Sequence, residues 1–474
     1  MMLISKALKV LNARQVSGGS DATFNAVSTD TRKIQKGDLY IALRGENFDG
    51  AEFVAQAAKL GAVAAVVNQS SGCVSDDLAI PLLIVPDTRI ALGQLAAHWR
   101  KQFNIPMVAI TGSNGKTSVK EMLASILRVA AGGDDAVLAT EGNLNNDIGM
   151  PLTLLKLNAQ HRYAVIEMGM NHPGEIDYLS QIARPQVALI NNASGAHLEG
   201  MGSVEAVARA KGEIFAGLQH EGSAIINADD EYAPLWRGLA GVHSLLEFGL
   251  NSEADVTGEW YPHASGLRLI AKTPNGDFTA DMQVPGEHNA RNALAATAAA
   301  ISLNLSLENI VAGLEKFTGV AGRLQRKRAR LGAMVIDDTY NANPASLTAA
   351  IAVLAQLKGR RVLVLGDMGE LGEDAAAFHC GIGAAAKKYG IDTLYALGEL
   401  SREAVREFGR NVYHFESVEA LQAALETELR ADTTILVKGS RFMKMERVVK
   451  YLVDTTGVTG NTNLPVGSCD TAKE

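Results

Sequence analysis

The sequence predicts an α/β protein of three domains, the central one built on a mostly parallel sheet with helices on both faces. Three observations predict it. Short apolar runs such as VALI (187–190) and SAII (223–226) recur along the chain, too uniformly apolar for a strand with one wet face. Helical stretches separate them. One run, IPMVAIT (105–111), passes through a glycine-rich turn straight into a helix.

Taken in order, residues 1–85 form a first block. DLYIAL (38–43), AVAAVV (62–67) and LLIVP (82–86) read as strands, and Ala51 to Leu60 as a helix. The opening MMLISKALKVL is amphipathic and lacks the long apolar run of a signal peptide. A linking helix runs from Pro86 to His98 and opens the second block, 86–318. There a strand, turn and helix fill 105–127, strands follow at YAVIE (163–167), QVALI (186–190) and SAII (223–226), and helices at Asn289–Leu303 and Leu307–Phe317. The third block, 319–455, alternates helices with AMVID (333–337), RVLVL (361–365), TLYAL (393–397) and TILVK (434–438). Residues 456–474 are rich in Gly, Thr and Asn without periodicity and read as a disordered tail.

Composition narrows the function. The chain of 474 residues carries 44 Lys+Arg against 52 Asp+Glu, a net charge of −8, which excludes a generally basic nucleic-acid binder. Its 3 cysteines, Cys73, Cys380 and Cys469, lie far apart and make neither a metal-ligand spacing nor a disulfide framework. No run is long and apolar enough to span a bilayer, so the expectation is a cytoplasmic protein.

The strongest local signal is TGSNGKTS (111–118), between an apolar strand and a helix. Backbone N–H groups of such a turn, with the positive end of the helix, cradle phosphates. Gly112, Asn114, Gly115 and Ser118 line the turn, Lys116 reaches the outer phosphates, and Thr117 offers its hydroxyl to Mg²⁺. Ile110 stands where the general GxxxxGK[ST] pattern has its first glycine. The motif points to ATP or a similar triphosphate without separating hydrolysis from transfer or ligation.

Glu167 ends its strand at the edge where ligands of α/β sheets bind, which suits a metal carboxylate as well as a solvated loop-edge residue. His197 follows the next strand, either in a metal shell or as a structural histidine. In the helical segment Ser203–Leu218, Lys211 lies on the apolar stripe of Val207 and Phe215, while Glu205, Arg209 and Glu213 share the opposite side and can pair. Either the lysine head escapes to the surface, or it enters a polar site where a neutral amine reacts with CO₂ to give an anionic carbamate.

Weaker clusters follow. EGNLNNDIGMP (141–151) presents Asn143 and Asn145, for a polar ligand or simple turn chemistry. Asn289 and Asn292 share one helix face and read a purine edge or cap structure. Arg323 sits at the block boundary, facing phosphate or belonging to a solvated basic run, 323–330. Asp338, Tyr340 and Asn341 lie in the strand-end loop DDTYNANP (337–344), where Asp338 would orient an amine or a ribose. Lys438 and Arg441, in KGSR (438–441), suit a carboxylate. In block one, Ser28, Thr29 and Arg32, with Arg44 and Asn47, suit a phosphate-bearing substrate.

In order, TGSNGKTS, EGNLNNDIGMPLTLL, VIEMGMNHPGEI, NNASGAHLEGMGS, ARAKGEIF, EHNARNALAA, IDDTYNANPAS, LGDMGELG and VKGSR resemble the Mur ligases over about residues 20–452. IDDTYNANP with LGDMGELG favours the member that joins D-alanyl-D-alanine to UDP-N-acetylmuramoyl-tripeptide. The resemblance implies a uridine-nucleotide domain (1–85), an ATPase domain (86–318) and a Rossmann-like C-terminal domain (319–455) that brings the amine. A monomer is expected, although the sequence leaves oligomeric state open. It implies that Lys116 and Thr117 bind ATP phosphates and magnesium, that Glu167 and His197 serve the metal, and that Lys211 is carbamylated. Asn289, Asn292, Arg323 and Asp338 would frame ATP, Ser28–Arg32 and Arg44–Asn47 the UDP-sugar end, and hinges would lie near 100–106 and 318–324. The rivals are a sister ligase adding another amino acid or peptide, and an ATPase switch or scaffold. A switch needs one nucleotide site, whereas polar strand-end loops occur in all three blocks.

Overall fold

The computed structural model describes residues 1–453 except 17–21, 46–47, 72–79, 196–197 and 264–265. His197, Asn47 and the tail 456–474 therefore lie outside the described residues. The chain divides into two compact units: Met1–Val320 with Glu370–Gly372, and Ala321 onward without those three residues.

The first unit opens with a helix, Ile4–Leu11, that buries Ile4, Ala7 and Leu11 on one face. A five-stranded sheet follows, from β1 (Arg14–Val16), β2 (Val27–Ser28), β3 (Leu39–Ile41), β4 (Ala64–Asn68) and β5 (Leu82–Val85). Its order is β1-β5-β4-β3-β2, antiparallel only between β1 and β5. Helix α1 (Thr88–Arg100) is capped by Asp87, whose carboxylate accepts from the N–H groups of Arg89 and Ile90. Its Ala91, Leu92, Leu95 and Ala96 join one core with Phe24, Leu39 and Leu83 of the first block and Met107 and Ile166 of the next.

The second sheet contains β6 (Met107–Thr111), β7 (Val137–Ala139), β8 (Tyr163–Glu167), β9 (Val187–Ile190), β10 (Ser223–Asn227) and β11 (Ser244–Phe248). It is parallel throughout, in the order β11-β10-β9-β6-β8-β7. Burial on both faces explains why β6, β9 and the middle of β8 read as continuous apolar runs. Strand β6 lies between β8 and β9, so the connections from it leave in both directions, and the crevice at its C-terminal end is the switch point where such sheets bind ligands. Helix α2 (Lys116–Ala131) starts there, and α3 (Glu175–Ala183) and α4 (Val204–Gly212) cover the sheet further on.

An antiparallel sheet of β12 (Thr257–His263), β13 (Gly266–Thr273) and β14 (Gly276–Met282) was not expected. Alternation of buried Leu267, Leu269 and Ala271, and of Phe278, Ala280 and Met282, marks its core face. Helices α5 (Glu287–Ser302) and α6 (Leu307–Lys316) complete the unit.

The segment 203–218 is not one α-helix: α4 tightens into a 3₁₀ turn over Glu213–Gly217. The cause is α3, whose Ser180 hydroxyl donates to Ile214 O (2.5 Å) and accepts from Gly217 N–H (3.1 Å). Arg209 pairs with Glu205 as expected, but Glu213 does otherwise: its carboxylate accepts from Gly174 N–H (2.8 Å), at the start of α3.

The second unit carries β15 (Gln325–Arg328), β16 (Met334–Asp338), β17 (Arg360–Gly366), β18 (Thr393–Leu397), β19 (Val412–Phe415) and β20 (Thr433–Lys438), ordered β15-β16-β20-β17-β18-β19. Only β15 is antiparallel, so the basic run expected as a solvated face contains an edge strand, charged as exposed edges often are. Its Lys327 pairs with Asp337 at 2.6 Å. Among the described residues no helix is long and apolar enough to cross a membrane.

Candidate active site at the C-terminal end of the central sheet

The phosphate loop follows β6, and its shape rests on Gly115. At φ +78 this residue is left-handed, and a Cβ there would stand 2.5 Å from both Asn191 Nδ2 and Asn292 Oδ1. The loop is stitched to the segment after β9. Asn192 Oδ1 accepts from Asn114 N–H (2.8 Å), Asn192 O accepts from Ser113 N–H (3.0 Å), and Asn114 Nδ2 donates to Ser194 Oγ (2.9 Å). Asn191 Nδ2 donates to Asn114 O (2.9 Å) and to Asn292 Oδ1 (3.0 Å). Asn292, read as a ligand residue or a cap, thus reaches the loop, while Asn289 donates to Pro285 O (2.8 Å). Lys116 begins α2 and folds its ammonium onto Gly112 O (2.6 Å), and Ser118 sits in the same first turn.

Glu167 is not a solvated edge residue. It is 2% exposed; Thr117 Oγ1 donates to its Oε2 (2.8 Å) and Asn145 Nδ2 to its Oε1 (2.8 Å). Asn145 is therefore beside this carboxylate, while Asn143 is exposed. A hydroxyl and a carboxylate converging at a phosphate loop are hard oxygen donors that fit Mg²⁺. Buried Thr111 Oγ1 and Asn191 Oδ1 beside them have no hydrogen-bond partner among the described residues.

Lys211 does not escape to the surface: it is 2% exposed, on a helix held by Trp236 Nε1 donating to Ala208 O (2.9 Å). Burial pushes its amine well below the usual lysine range, the Lys116 charge pushes the same way, and Asp230 opposes both. Asp230 accepts from Ala193 N–H (2.9 Å) and Tyr232 N–H (3.0 Å), and burial raises its carboxyl. Sequence reasoning missed Asp230, Asn191 and Asn192. Their signal is position, each lying just past the C-terminal end of a parallel strand.

The other candidates lie at two other sheet edges. In the five-stranded sheet, Ser28 ends β2, Thr29 follows it, and Arg44 follows β3 and donates to Ser70 Oγ (3.2 Å) just past β4. Arg32 is exposed and holds Asp30 at 2.7 Å, which lowers that carboxyl to about 2. In the second unit, Asp338 and Lys438 end adjacent strands and pair at 2.6 Å. Burial still raises the Asp338 carboxyl, against the pull of Lys438. Lys438 also donates to Asn341 O (2.9 Å), Asn341 Oδ1 accepts from Arg441 N–H (3.3 Å), and the Arg323 guanidinium lies 4.1 Å above the Tyr340 ring.

A parallel sheet with its phosphate loop at the switch point, a buried metal-type carboxylate and a buried lysine together define a nucleotide-dependent enzyme. Family comparison agrees in register: the Mur ligase catalytic domain matches 23–100, the Mur ligase middle domain 110–300 and the glutamate ligase domain of Mur ligases 322–441. The chain belongs to the Mur ligase family. It is 44% identical over 438 residues to the UDP-N-acetylmuramoyl-tripeptide–D-alanyl-D-alanine ligase of Escherichia coli, covering 92% of this chain and 95% of that protein. Among solved structures, MurF from Acinetobacter baumannii superposes with a TM-score of 0.87 at 36% identity, covering 94% of this chain and 97% of that one. MurF from Thermotoga maritima, in complex with ADP, gives 0.80 at 25% identity, covering 91% and 98%.

Proposed function

We infer that the chain is the ATP-dependent ligase that joins D-alanyl-D-alanine to UDP-N-acetylmuramoyl-tripeptide, giving UDP-N-acetylmuramoyl-pentapeptide, ADP and phosphate. The observation that carries it is the near-full-length identity to ligases of that name, on a chain whose phosphate loop and Glu167 share one sheet edge.

The chemistry needs ATP because oxide is a poor leaving group from a carboxylate. The tripeptide's terminal carboxylate attacks the γ-phosphorus and ADP departs, leaving an acyl phosphate. The neutral amine of D-alanyl-D-alanine adds to the acyl carbon, loses its proton, and phosphate leaves. In our reading Gly112, Asn114, Gly115 and Ser118 cradle the phosphates with backbone N–H groups, and Lys116 leaves Gly112 O to offset charge on the transferred group. Thr117 and Glu167 would hold Mg²⁺, which supplies further electrostatic stabilisation when bound. Burial lowers the Lys211 amine toward the neutral form, whose free electron pair reaction with CO₂ requires, and as a carbamate it would add a third oxygen donor. Asn292 and Asn289 would flank the nucleotide.

We assign UDP binding to the C-terminal edge of the 1–85 sheet, through Ser28, Thr29, Arg32 and Arg44. We assign the amine to the 319–455 domain, through Tyr340, Asn341, Lys438 and Arg441, with Arg323 and Asp338 toward ATP. The need for ATP and the few scattered cysteines support a cytoplasmic location.

The test supplies ATP, Mg²⁺ and UDP-N-acetylmuramoyl-tripeptide, with and without D-alanyl-D-alanine, following phosphate and peptide mass together. Phosphate and pentapeptide rising together only with both substrates is the expected result. Dipeptide-independent hydrolysis without product overturns it.

A further inference from the structure

Another buried lysine plays no part in that chemistry. Lys120 lies one turn beyond Lys116 on α2 and is 1% exposed, as buried as Lys211. Its ammonium pairs with Glu121 Oε1 at 2.8 Å and donates to the backbone carbonyl of Thr140. Burying a lysine head costs free energy unless it is paired and hydrogen-bonded, so what it holds matters.

Thr140 stands where β7 ends and the segment carrying Asn145 begins. It is bonded to β8 on both sides of that strand's end: its N–H donates to Val165 O (3.1 Å), and its Oγ1 accepts from Glu167 N–H (2.9 Å). Asn145, five residues on, donates to the Glu167 carboxylate, and its O accepts from Gly169 N–H (2.9 Å). Helix α2 therefore grips Glu167 twice. Thr117 takes the carboxylate directly, and Lys120 takes the peptide of Thr140, which holds the Glu167 backbone and starts the segment that delivers Asn145.

We propose that Lys120 is a positioning residue: through Thr140 it locks the backbone of Glu167 and the origin of the Asn145 segment to the phosphate-loop helix, setting the carboxylate's aim. The proposal rests on the reading of Glu167 as a metal carboxylate. Partners that orient a ligating group are typically worth about 10- to 100-fold in metal affinity when removed.

The test compares Lys120→Met, Thr140→Val and Thr140→Ser in the full-length enzyme. Hydrogen exchange of the protein without metal or nucleotide is the first readout. Lys120→Met is expected to raise exchange in 140–149 and at Glu167 while β9 and β10 stay protected. The Mg²⁺ half-saturation of phosphate release is the second, expected to rise about 10-fold with the KM for D-alanyl-D-alanine unchanged. Thr140→Val should move both readouts the same way, and Thr140→Ser, which keeps the hydroxyl, should move neither. If Lys120→Met does not fold, Lys120→Gln, too short to reach the Thr140 carbonyl, takes its place in both readouts. Unchanged exchange at Glu167, or a fall in kcat with the Mg²⁺ dependence intact, overturns the proposal. Glu167→Gln separates the premise: if that variant also keeps the wild-type Mg²⁺ dependence, the metal reading of Glu167 fails first.

Discussion

Helix α2 has a left-handed glycine at each end, and the two differ in what surrounds them. Gly115 (φ +78) would push a Cβ to 2.5 Å from Asn191 Nδ2 and Asn292 Oδ1, while Gly132 (φ +77) has nothing within 4 Å of that point. Gly132→Ala thus isolates the backbone cost of a left-handed alanine, about 1–2 kcal/mol. Gly115→Ala adds the break-up of the Asn191–Asn292 hydrogen bond, 3.0 Å long and buried, worth about 1–3 kcal/mol with partners left unsatisfied. The total of roughly 2–5 kcal/mol falls on stability if the loop keeps its shape, or on nucleotide binding if the loop relaxes. At about 1.4 kcal/mol per tenfold, full relaxation lowers kcat/KM for ATP by roughly 30- to 4,000-fold. Phosphate-release kinetics and calorimetric unfolding, run on both variants, measure both channels. Gly132→Ala is expected to lose only stability. A Gly115→Ala enzyme within twofold of wild type in kcat/KM for ATP, and no less stable than Gly132→Ala, would refute the reasoning.

Lys211→Ala should abolish ligation, and added acetate or formate should restore part of it by supplying a carboxylate where the carbamate would stand; full activity without rescue sinks the carbamate. Thr117→Val removes the hydroxyl donated to Glu167 and should raise the Mg²⁺ requirement about 10-fold in a titration of phosphate release, leaving the amine KM unchanged. In the second unit, Arg360 holds Glu428 through two hydrogen bonds of 2.5 and 2.8 Å, Tyr395 donates a third of 3.0 Å, and the Glu428 carboxyl is lowered, first by Arg360. A lowered acid stabilises above its unfolded value of about 4.3 and loses that contribution as pH falls through the folded value. Glu428→Gln should therefore destabilise the second unit by about 2–3 kcal/mol at pH 7 and by progressively less in acid. Calorimetry or hydrogen exchange must read it, because Trp99, Trp236 and Trp260, all 3 tryptophans of the chain, lie in the first unit. An equal deficit at pH 7 and at pH 3 would remove the ion pair as the cause.

What was legible in the sequence shares one property: the signal is local. A phosphate loop declares itself because a strand, a left-handed glycine and a helix start must follow within about ten residues. The parallel strands were readable because burial on both faces leaves no polar alternation. Lys211 stood out because a charge interrupted a helical apolar stripe, and the structure buries it as that stripe demands. The sheet at 257–282 carried an equally local signal, the alternation of Leu267, Leu269 and Ala271, and went unread among its charged outer residues.

What was not legible depends on register between distant strands. Asn191 carries no signal of its own until β9 is aligned with β6, where Ile190 faces Thr111 and the next residue meets the phosphate loop. The same holds for Lys120. On a helical wheel it sits beside the stripe of Val119, Met122, Leu123 and Ile126, where a lysine reads as a rim residue. Only the packing of α2 against β7 and β8 turns that rim inward, onto the Thr140 carbonyl. Lys211 and Lys120 therefore differ in kind. At Lys211 burial first, and then the charge of Lys116, push the amine well below the usual lysine range against the pull of Asp230, which suits the carbamate proposed there. Lys120 is held by a carboxylate and a backbone carbonyl, and the pair makes it a clamp. Equal burial thus serves different ends, and the surroundings of each head set them apart: Lys116 and Asp230 at Lys211, Glu121 and the Thr140 carbonyl at Lys120.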